Sequence, residues 1–328
     1  MTTIAFLAIV AVTQSCGIAS PDGGPSNFVF FGRDHEPAVS TEFLEAEGVA
    51  GAQLTFTWRE LEPERGEYDF TAIESHVAML GAHGKRLWIQ VSDVTFGDRL
   101  PVPEYLLSDT SFHGGAVRKY EGSAGVFDGW VARRWDPAVR GRLASLFAAL
   151  AAEFDGRIEG INLAETAIGF EDPQFHPSGF SFDGYSTAML DIMRNARRAF
   201  RHSCVIVYAN FMPGESLPEA DHGYLRGIFE LAEVIGVGVG GPDLLPYRDG
   251  QRRNSLPLIA SRSNRVVAGM AVQDGNLSEV DPNTGRPVTV DALYGIARDR
   301  LRLDYLFWGR EEPYYSRDVL PFLASLAR

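Results

Sequence analysis

Lysine is almost absent from this sequence. Only Lys85 and Lys119 occur, so nearly all of the positive charge of the 328 residues is arginine. A guanidinium group stays protonated and does not act as the amine of a Schiff base, which removes lysine-based covalent catalysis from serious consideration. The formal net charge is −13, and there are no runs of basic residues. This balance argues against nucleic acid or an anionic membrane as the partner and is compatible with a neutral substrate such as a glycan.

Other common catalytic and metal-binding patterns are missing as well. The sequence has two cysteines, and Cys16 lies in an N-terminal segment that is expected to be removed, so no disulfide framework is expected. Cys204 is expected to be a small buried hydrophobe. The seven histidines include no H-x-H or H-E-x-x-H pair, so neither a metal nor another cofactor is expected. No serine lies in a G-x-S-x-G turn, which argues against a serine-hydrolase nucleophile.

The N-terminus has the pattern of an export signal. Residues 4–12 form an apolar run that has the length of a signal-peptide core and is too short to span a bilayer. Gly17 and Ala19 supply small residues for cleavage, and the VTQS before Cys16 faintly resembles a lipobox. We therefore expect an exported protein (secreted, periplasmic or lipid-anchored) with a signal at 1–20, a linker at 21–26 and one domain at 27–328. The alternative is a disordered N-terminus.

Apolar runs alternate with helical patterns along that domain. The predicted strands are 27–32, 52–57, 86–91, 158–164, 205–209, 234–239, 266–272 and 305–307. Alternating β and α segments predict a parallel sheet with crossover helices. Eight such units in this length fit an α/β fold of the (β/α)8 TIM-barrel type. An open doubly wound sheet is the alternative, but no glycine-rich phosphate fingerprint follows the first strand.

Local signals place some of the helices and loops. Thr71 and Glu74 predict a capping box for a helix over 70–80, and Asp136 before a proline predicts another helix start. The long segments 94–134 and 168–184 are interpreted as loops, and loops of this length are usually functional or disordered.

Polar residues follow most of the predicted strands. In a (β/α)8 barrel, catalytic residues lie at these carboxyl ends. Glu165 follows the fourth strand, where a carboxylate is costly to bury unless it has partners or a function. Carboxylates together with aromatic rings suit glycoside hydrolysis, which needs two carboxyl groups beside the bond. The predicted catalytic residues are Glu165, Asp274 and Asp243; the predicted substrate-binding residues are Arg33, His35, Glu36, Trp58, Arg59, Asp93, Asn210, Gln273 and Trp308.

Several of these side chains have a second interpretation. Arg59 could bond a catalytic carboxylate or pair with Glu60, and Asn210 could bind a sugar hydroxyl or cap a turn. Asp243 follows Gly-Gly-Pro and could be only a turn residue. Trp58 is more often a core residue than a sugar platform.

Residues 53–70, QLTFTWRELEPERGEYDF, resemble the W-x-x-x-E-P-x-x-G-x-Y-x-F stretch of clan A glycoside hydrolases, the β-galactosidase-like and xylanase-like barrels. The segment YLFWG near the end resembles their eighth strand. The resemblance implies a barrel, with Glu165 as general acid/base and Trp308 lining a sugar subsite. It also implies a glutamate nucleophile at the seventh strand. Within the 53–70 stretch, Glu62 is expected to shape the loop rather than take part in the chemistry.

The sequence departs from that pattern at two places. Asn162 lies three residues before Glu165 instead of directly before it, and the seventh strand ends in Gln273 and Asp274 without a glutamate. A glutamine cannot be a carboxylate nucleophile, so the second carboxylate is expected to be Asp274 or Asp243. Three functions follow: a glycoside hydrolase, a catalytically inactive carbohydrate-binding barrel, and a barrel lyase or isomerase. The third would need a metal or a lysine at the mouth, and the sequence is expected to offer neither. The sequence does not determine the oligomeric state.

Overall fold

The computed structural model describes residues 23–121 and 125–327, apart from the side chains of residues 121 and 274. The predicted signal at 1–20 and the start of the predicted linker lie outside these residues. Within the described part of the chain, no helix is both long enough and apolar enough to cross a membrane.

Eight parallel strands close into a barrel. In chain order they are β1 (Ser26–Gly32), β2 (Gly51–Thr57), β3 (Arg86–Ser92), β4 (Gly160–Leu163), β5 (Cys204–Tyr208), β6 (Gly238–Gly241), β7 (Ala268–Val272) and β8 (Tyr305–Gly309). Each strand pairs with the next, and β8 pairs with β1 through Phe28 opposite Phe307. The predicted (β/α)8 barrel is therefore confirmed, and the open doubly wound sheet is excluded.

The predicted boundaries of the sixth strand are wrong. Residues 234–239 were predicted as strand, but the helix Tyr224–Ile235 runs into this segment and leaves Val234 80% exposed. Gly236, with φ of 70°, ends the helix, and β6 begins only at Gly238. A Cβ atom at Gly240 would lie 1.7 Å from the carbonyl oxygen of Gly269 in β7, so this strand needs a glycine there. An apolar run alone does not distinguish the last turn of a helix from a buried strand.

Helices cover the outside of the barrel. They are Thr71–Ala82, Pro137–Phe154, Phe182–Ala199, Tyr224–Ile235, Asp249–Arg253 with Ser255–Arg262, Val290–Gly295 with the π-helical Ile296–Leu301, and the π-helical Tyr315–Val319 with Leu320–Leu326. The shorter α-helices are Thr41–Leu44, Trp58–Leu61, Glu104–Ser108 and Asp274–Leu277, and the 3-10 turns are Glu36–Val39, Thr110–Phe112 and Pro173–Phe175.

One of the two predicted helix starts is confirmed. Asp136 caps its helix by accepting the N–H groups of Ala138 at 2.8 Å and Val139 at 3.3 Å. The predicted capping box at Thr71 is wrong, because Thr71 is already the first helical residue. Its N–H group is accepted by the carboxylate of Asp69 at 3.0 Å, so an acidic residue two positions earlier supplies the cap.

The predicted loop at 94–134 is a folded insert. It contains an antiparallel sheet of Val94–Phe96, Ala116–Glu121 and Val126–Ala132, with the last strand in the middle. We call this the insert sheet. Because it follows β3 after a single residue, it stands at the carboxyl end of the barrel. A separate two-stranded sheet of Val280–Asp281 and Arg286–Pro287 follows β7.

Aromatic side chains fill the lower part of the barrel lumen. Phe28, Trp88, Tyr305 and Phe307 pack together there with ring centroids 5.0 to 6.4 Å apart. Cys204 belongs to the same cluster and is 1% exposed, which confirms its predicted burial. Among the described residues, these side chains therefore fill the lumen toward its amino end.

Candidate active site

The lumen opens at the carboxyl end of the strands into a cavity of about 270 Å³, which we call the inner cavity. Neutral polar side chains from four strands line it: Gln53 and Thr55 of β2, Gln90 of β3, Tyr208 of β5 and Gln273 after β7. Glu165 lies at its edge together with Arg33, Phe96 and Pro242. The predicted site residues Arg33, Glu165 and Gln273 are thus brought together, although 240 positions of chain separate the first from the last.

A larger cavity of about 830 Å³, the outer cavity, adjoins the first. Its walls come from the insert sheet, with Lys119 and Tyr120, and from the segment after β4, with Glu171 and Phe175. Phe96 and Glu165 line both cavities. Glu165 therefore lies at the boundary between a small axial space and a wider cleft.

A glycine allows the segment after β4 to approach the insert sheet. Gly169 has φ of +74°, and a Cβ atom there would lie 2.6 Å from the carbonyl oxygen of Tyr120. A larger residue would be strained in this conformation and would push the two walls of the outer cavity apart.

Asn210, which follows β5, holds the Glu165 side chain. Its Nδ2 donates to Oε2 of Glu165 at 2.8 Å. Its Oδ1 accepts the backbone N–H groups of Phe211 at 3.0 Å and Ala167 at 3.3 Å, which fixes the amide orientation. The predicted site residue Asn210 therefore positions the carboxyl group of Glu165 from a neighbouring strand.

The pKa of Glu165 is raised above its ordinary value. Burial is the largest cause, because it disfavours the charged carboxylate. The hydrogen bond from Asn210 and the charges of Lys119 and Arg134 lower the pKa in part, and the nearby carboxylate of Asp243 raises it again. A raised pKa keeps a glutamic acid protonated closer to neutral pH, as a general acid requires.

A buried ion pair supports the backbone of Glu165. Arg134 donates to both carboxylate oxygens of Asp93, at 2.6 and 2.8 Å, and both side chains are almost fully buried. Its remaining nitrogen donates to the carbonyl oxygen of Glu165 at 2.7 Å and to the hydroxyl group of Tyr185 at 2.9 Å. Asp93 was predicted to bind substrate, but both of its carboxylate oxygens accept hydrogen bonds from Arg134. Asp93 therefore orients Arg134, which in turn holds the backbone of Glu165.

Asp243 is a carboxylate near Glu165: it acts electrostatically on Glu165 and follows Pro242 of the inner cavity, but the described lining of neither cavity includes Asp243 itself. Its Oδ1 accepts Nδ2 of Asn276 at 3.0 Å and Nε2 of Gln273 at 3.3 Å. The amide of Asn276 is oriented in turn, because its Oδ1 accepts the N–H groups of Leu244 at 3.0 Å and Gln273 at 3.1 Å. Gln273 therefore orients Asp243, and Asn276 is a positioning residue that the sequence did not single out. The side chain of the third candidate, Asp274, lies outside the described part of the structure.

Lys119 lies in the site, which the sequence did not predict. The insert sheet brings its ammonium group into an ion pair with Asp128 and places it 3.9 Å from the ring centre of Phe96. It lines the outer cavity and acts electrostatically on Glu165. The interpretation that no lysine lies at the mouth is therefore wrong. The other lysine, Lys85, lies before β3 at the opposite end, as expected.

The two predicted tryptophans do not face the cavities. Trp308 is fully buried, and its Nε1 donates to Oδ1 of Asn27 at 3.0 Å. Neighbouring residues of a strand point to opposite faces, so Phe307 lies in the lumen and Trp308 packs against the helices. Trp58 is also fully buried, and its Nε1 donates to Glu62 at 2.8 Å. Neither tryptophan is a sugar platform, and the predicted loop-shaping role of Glu62 is confirmed.

Three other predicted contacts also lie outside the described cavities. The Nε2 atom of His35 is 3.1 Å from the backbone oxygen of Thr55, and Glu36 is exposed at the start of a 3-10 turn. Arg59 forms an exposed ion pair with Glu104 at 3.2 Å, so neither interpretation of its partner was right. None of these three side chains belongs to the described lining of either cavity.

Gln53 and Tyr208 were missed among the site residues, although the sequence held a signal for Gln53. Within β2, Gln53 and Thr55 alternate with Leu54 and Phe56, which marks one polar and one apolar face. In a closed barrel a polar face among apolar strands points into the lumen near the site. Tyr208 gave no such signal, because the residues around it are apolar.

Among the described residues, no group of three or more His, Cys, Asp or Glu side chains could hold a metal ion. The site therefore contains Glu165 with the nearby Asp243, further carboxyl groups in the outer cavity, one lysine, one arginine, several amides and hydroxyl groups, and aromatic rings; the outer-cavity carboxyl groups are those of Asp128, Glu171 and Asp172. This set of groups can donate a proton and bind hydroxyl groups.

Comparison with known proteins supports the fold. A scan against protein-family models finds no match, and a search of curated proteins finds none either. Among solved structures, the catalytic domain of beta-amylase from Paenibacillus polymyxa is similar with a TM-score of 0.57 and 8% identity, over 86% of this chain and 91% of that chain. The exo-beta-1,4-mannosidase from Opitutaceae bacterium strain TAV5 is similar with a TM-score of 0.51 and 11% identity, over 96% of this chain and 61% of that chain. The predicted resemblance to glycoside hydrolase barrels is thus confirmed at the level of the fold.

Proposed function

We propose that the protein is a glycoside hydrolase that cleaves O-glycosidic bonds of an oligo- or polysaccharide with two carboxyl groups. The observation that carries this proposal is the position of Glu165. It lies between two cavities, is oriented by Asn210, and has a pKa raised by burial. The names of the two similar structures, a beta-amylase and a mannosidase, agree with a carbohydrate ligand.

In the proposed reaction, Glu165 donates its proton to the glycosidic oxygen while the bond from that oxygen to the anomeric carbon breaks. Asp243 is the second carboxylate, and Asp274 is the alternative. This second carboxylate either attacks the anomeric carbon, after which water releases the sugar, or removes a proton from a water molecule that attacks the anomeric carbon. The anomer of the first product distinguishes the two routes, because direct attack by water inverts the configuration.

A Glu165→Gln variant tests the proposal. Glutamine keeps the size of the side chain and an acceptor for Asn210 but cannot donate a carboxylic proton. We expect kcat to fall by about 10²- to 10⁴-fold, the usual contribution of a general acid, with an unchanged thermal melt. Glu104→Gln, an exposed change outside the cavities, is the control and should keep full activity. Hydrolysis at a near wild-type rate in Glu165→Gln would contradict the assignment.

The second candidate is a catalytically inactive carbohydrate-binding barrel. It is favoured by Gln273, an amide after β7 where the resemblance implies a glutamate nucleophile. Binding of glycans without release of reducing sugar, in wild type and Glu165→Gln alike, would establish it.

Export of the protein remains a proposal based on residues 1–20, and fractionation of the producing cells tests it.

A further inference from the structure

We propose that this site acts at chain ends, removing one sugar residue from the non-reducing end of a glycan. The terminal sugar would occupy the inner cavity and the rest of the chain the outer cavity. This inference rests on the proposed function and adds the mode of attack to it.

The inner cavity is a blind space on the barrel axis. Nε2 of Gln53 donates to the hydroxyl oxygen of Tyr208 at 3.2 Å, which links β2 to β5 across the lumen. Below this bond lie the buried rings of Trp88, Tyr305 and Phe307. A glycan chain therefore cannot continue along the barrel axis beyond the inner cavity, which favours the entry of a chain end.

The sizes of the two cavities fit this division. The inner cavity has a volume of about 270 Å³, which is below the usual range of ~300 to 1,000 Å³ for sites that bind drug-sized ligands. A volume this small suits a single sugar ring. The outer cavity, about 830 Å³, lies well inside that range and accepts a larger group. The bond between the first and second sugars would then pass Glu165, which lines both spaces.

One buried polar atom at the floor of the inner cavity has no hydrogen-bond partner among the described residues. This atom is Oε1 of Gln53, whose side chain is fully buried. Such an acceptor is costly to leave without a donor. Thr55 and Gln90 beside it are also uncharged, so a neutral group that donates a hydrogen bond, such as a sugar hydroxyl, fits this floor.

The outer cavity has a different character. Phe96 is 63% exposed, and Tyr120 and Phe175 stack with ring centres 5.0 Å apart. Aromatic rings suit the C–H faces of further sugar residues. These rings and Glu165 belong to the described lining of the same outer cavity.

The direction of the chain follows from the second carboxylate. Asp243 accepts a hydrogen bond from Gln273. Gln273 belongs to the described lining of the inner cavity and not to that of the outer cavity. Asp243 also follows Pro242, which lines the inner cavity and not the outer one, so the carboxylate proposed to act on the anomeric carbon is on the side of the inner cavity. The ring in that cavity must therefore contribute its anomeric carbon to the cleaved bond, which makes it the non-reducing end.

The experiment uses gluco-, manno-, galacto- and xylo-oligosaccharides in α and β linkages, labelled at the reducing end. For a hydrolysed member, we expect the first labelled product to be shorter by one residue. The same oligosaccharide with a bulky acetal on its non-reducing terminal ring should resist cleavage at least 100-fold. Early labelled products of many lengths, or equal cleavage of the blocked form, would overturn chain-end attack while leaving the hydrolase proposal intact.

Variants of the floor give an independent measurement. Gln53→Leu and Tyr208→Phe should each weaken inhibition by the released monosaccharide about tenfold, as expected when a hydrogen bond to the ligand is lost. Glu104→Gln should leave the inhibition constant unchanged, and thermal melts identify any variant that does not fold. Unchanged inhibition in both folded variants would contradict a sugar on this floor. Failure of the whole panel to be hydrolysed in a Glu165-dependent way would instead overturn the proposed function.

Discussion

Removing one partner of the buried ion pair between Arg134 and Asp93 should destabilise the protein strongly. Arg134→Met leaves the carboxylate of Asp93 buried at 4% exposure without its cation. Leaving a buried charge without its partner costs about 3 to 5 kcal/mol, because the charge has lost its solvent and gains nothing in return. The variant also removes the donors to the carbonyl oxygen of Glu165 and to the hydroxyl group of Tyr185.

A double variant separates the charge from the hydrogen bonds. In Arg134→Met with Asp93→Leu no buried charge remains, so most of the loss should be recovered. The acceptor on Glu165 is still left without its donor, so a deficit of about 1 to 3 kcal/mol should persist. The difference between the single and double variants measures the coupling of the pair directly.

Unfolding in urea, followed by circular dichroism and tryptophan fluorescence, gives these free energies of unfolding. For 328 residues, a loss of about 3 to 5 kcal/mol corresponds to about 4 to 7 °C in Tm, from the usual entropy of unfolding per residue. A loss below about 1 kcal/mol in Arg134→Met would refute the reasoning, because it is the value of an exposed pair. A double variant no more stable than the single one would show that packing, not charge, determines the cost.

Three further changes test the electrostatics and the corrected placements. Lys119→Met removes a cation that lowers the pKa of Glu165, so that pKa rises. Because a general acid loses activity as pH rises through its pKa, the alkaline limb of the rate profile should move to higher pH; a move to lower pH would contradict the role of Glu165. Asp243→Asn removes an anion that raises the pKa of Glu165, so titration of the Glu165 carboxyl group by NMR should give a lower pKa in this variant. An unchanged pKa would contradict this explanation. Trp308→Phe loses the hydrogen bond to buried Asn27 and should cost about 1 to 3 kcal/mol of stability without weakening glycan binding; weaker binding at unchanged stability would restore its predicted role as a sugar platform.

The sequence determined the barrel and the position of Glu165 at the end of its fourth strand. Most strands contain a local apolar run, and a local signal such as the cap at Asp136 marks the start of a helix. These signals depend on a few neighbouring residues, so they can be recognised without knowledge of the rest of the chain. Glu165 was predicted for the same reason, since it directly follows such a run and the carboxyl ends of parallel strands meet at one face.

The tertiary structure decided which face each side chain takes and which distant residues meet. Strands of a parallel barrel are buried on both faces, so the sequence did not tell whether Phe307 or Trp308 points into the lumen. Lys119 reaches Glu165 only because the insert sheet pairs strands that local signals did not reveal. Gln53 and Tyr208 are 155 positions apart, and their hydrogen bond exists only once the barrel has closed. Closure is a cooperative property of all eight strands, and it creates the inner cavity that no single segment encodes.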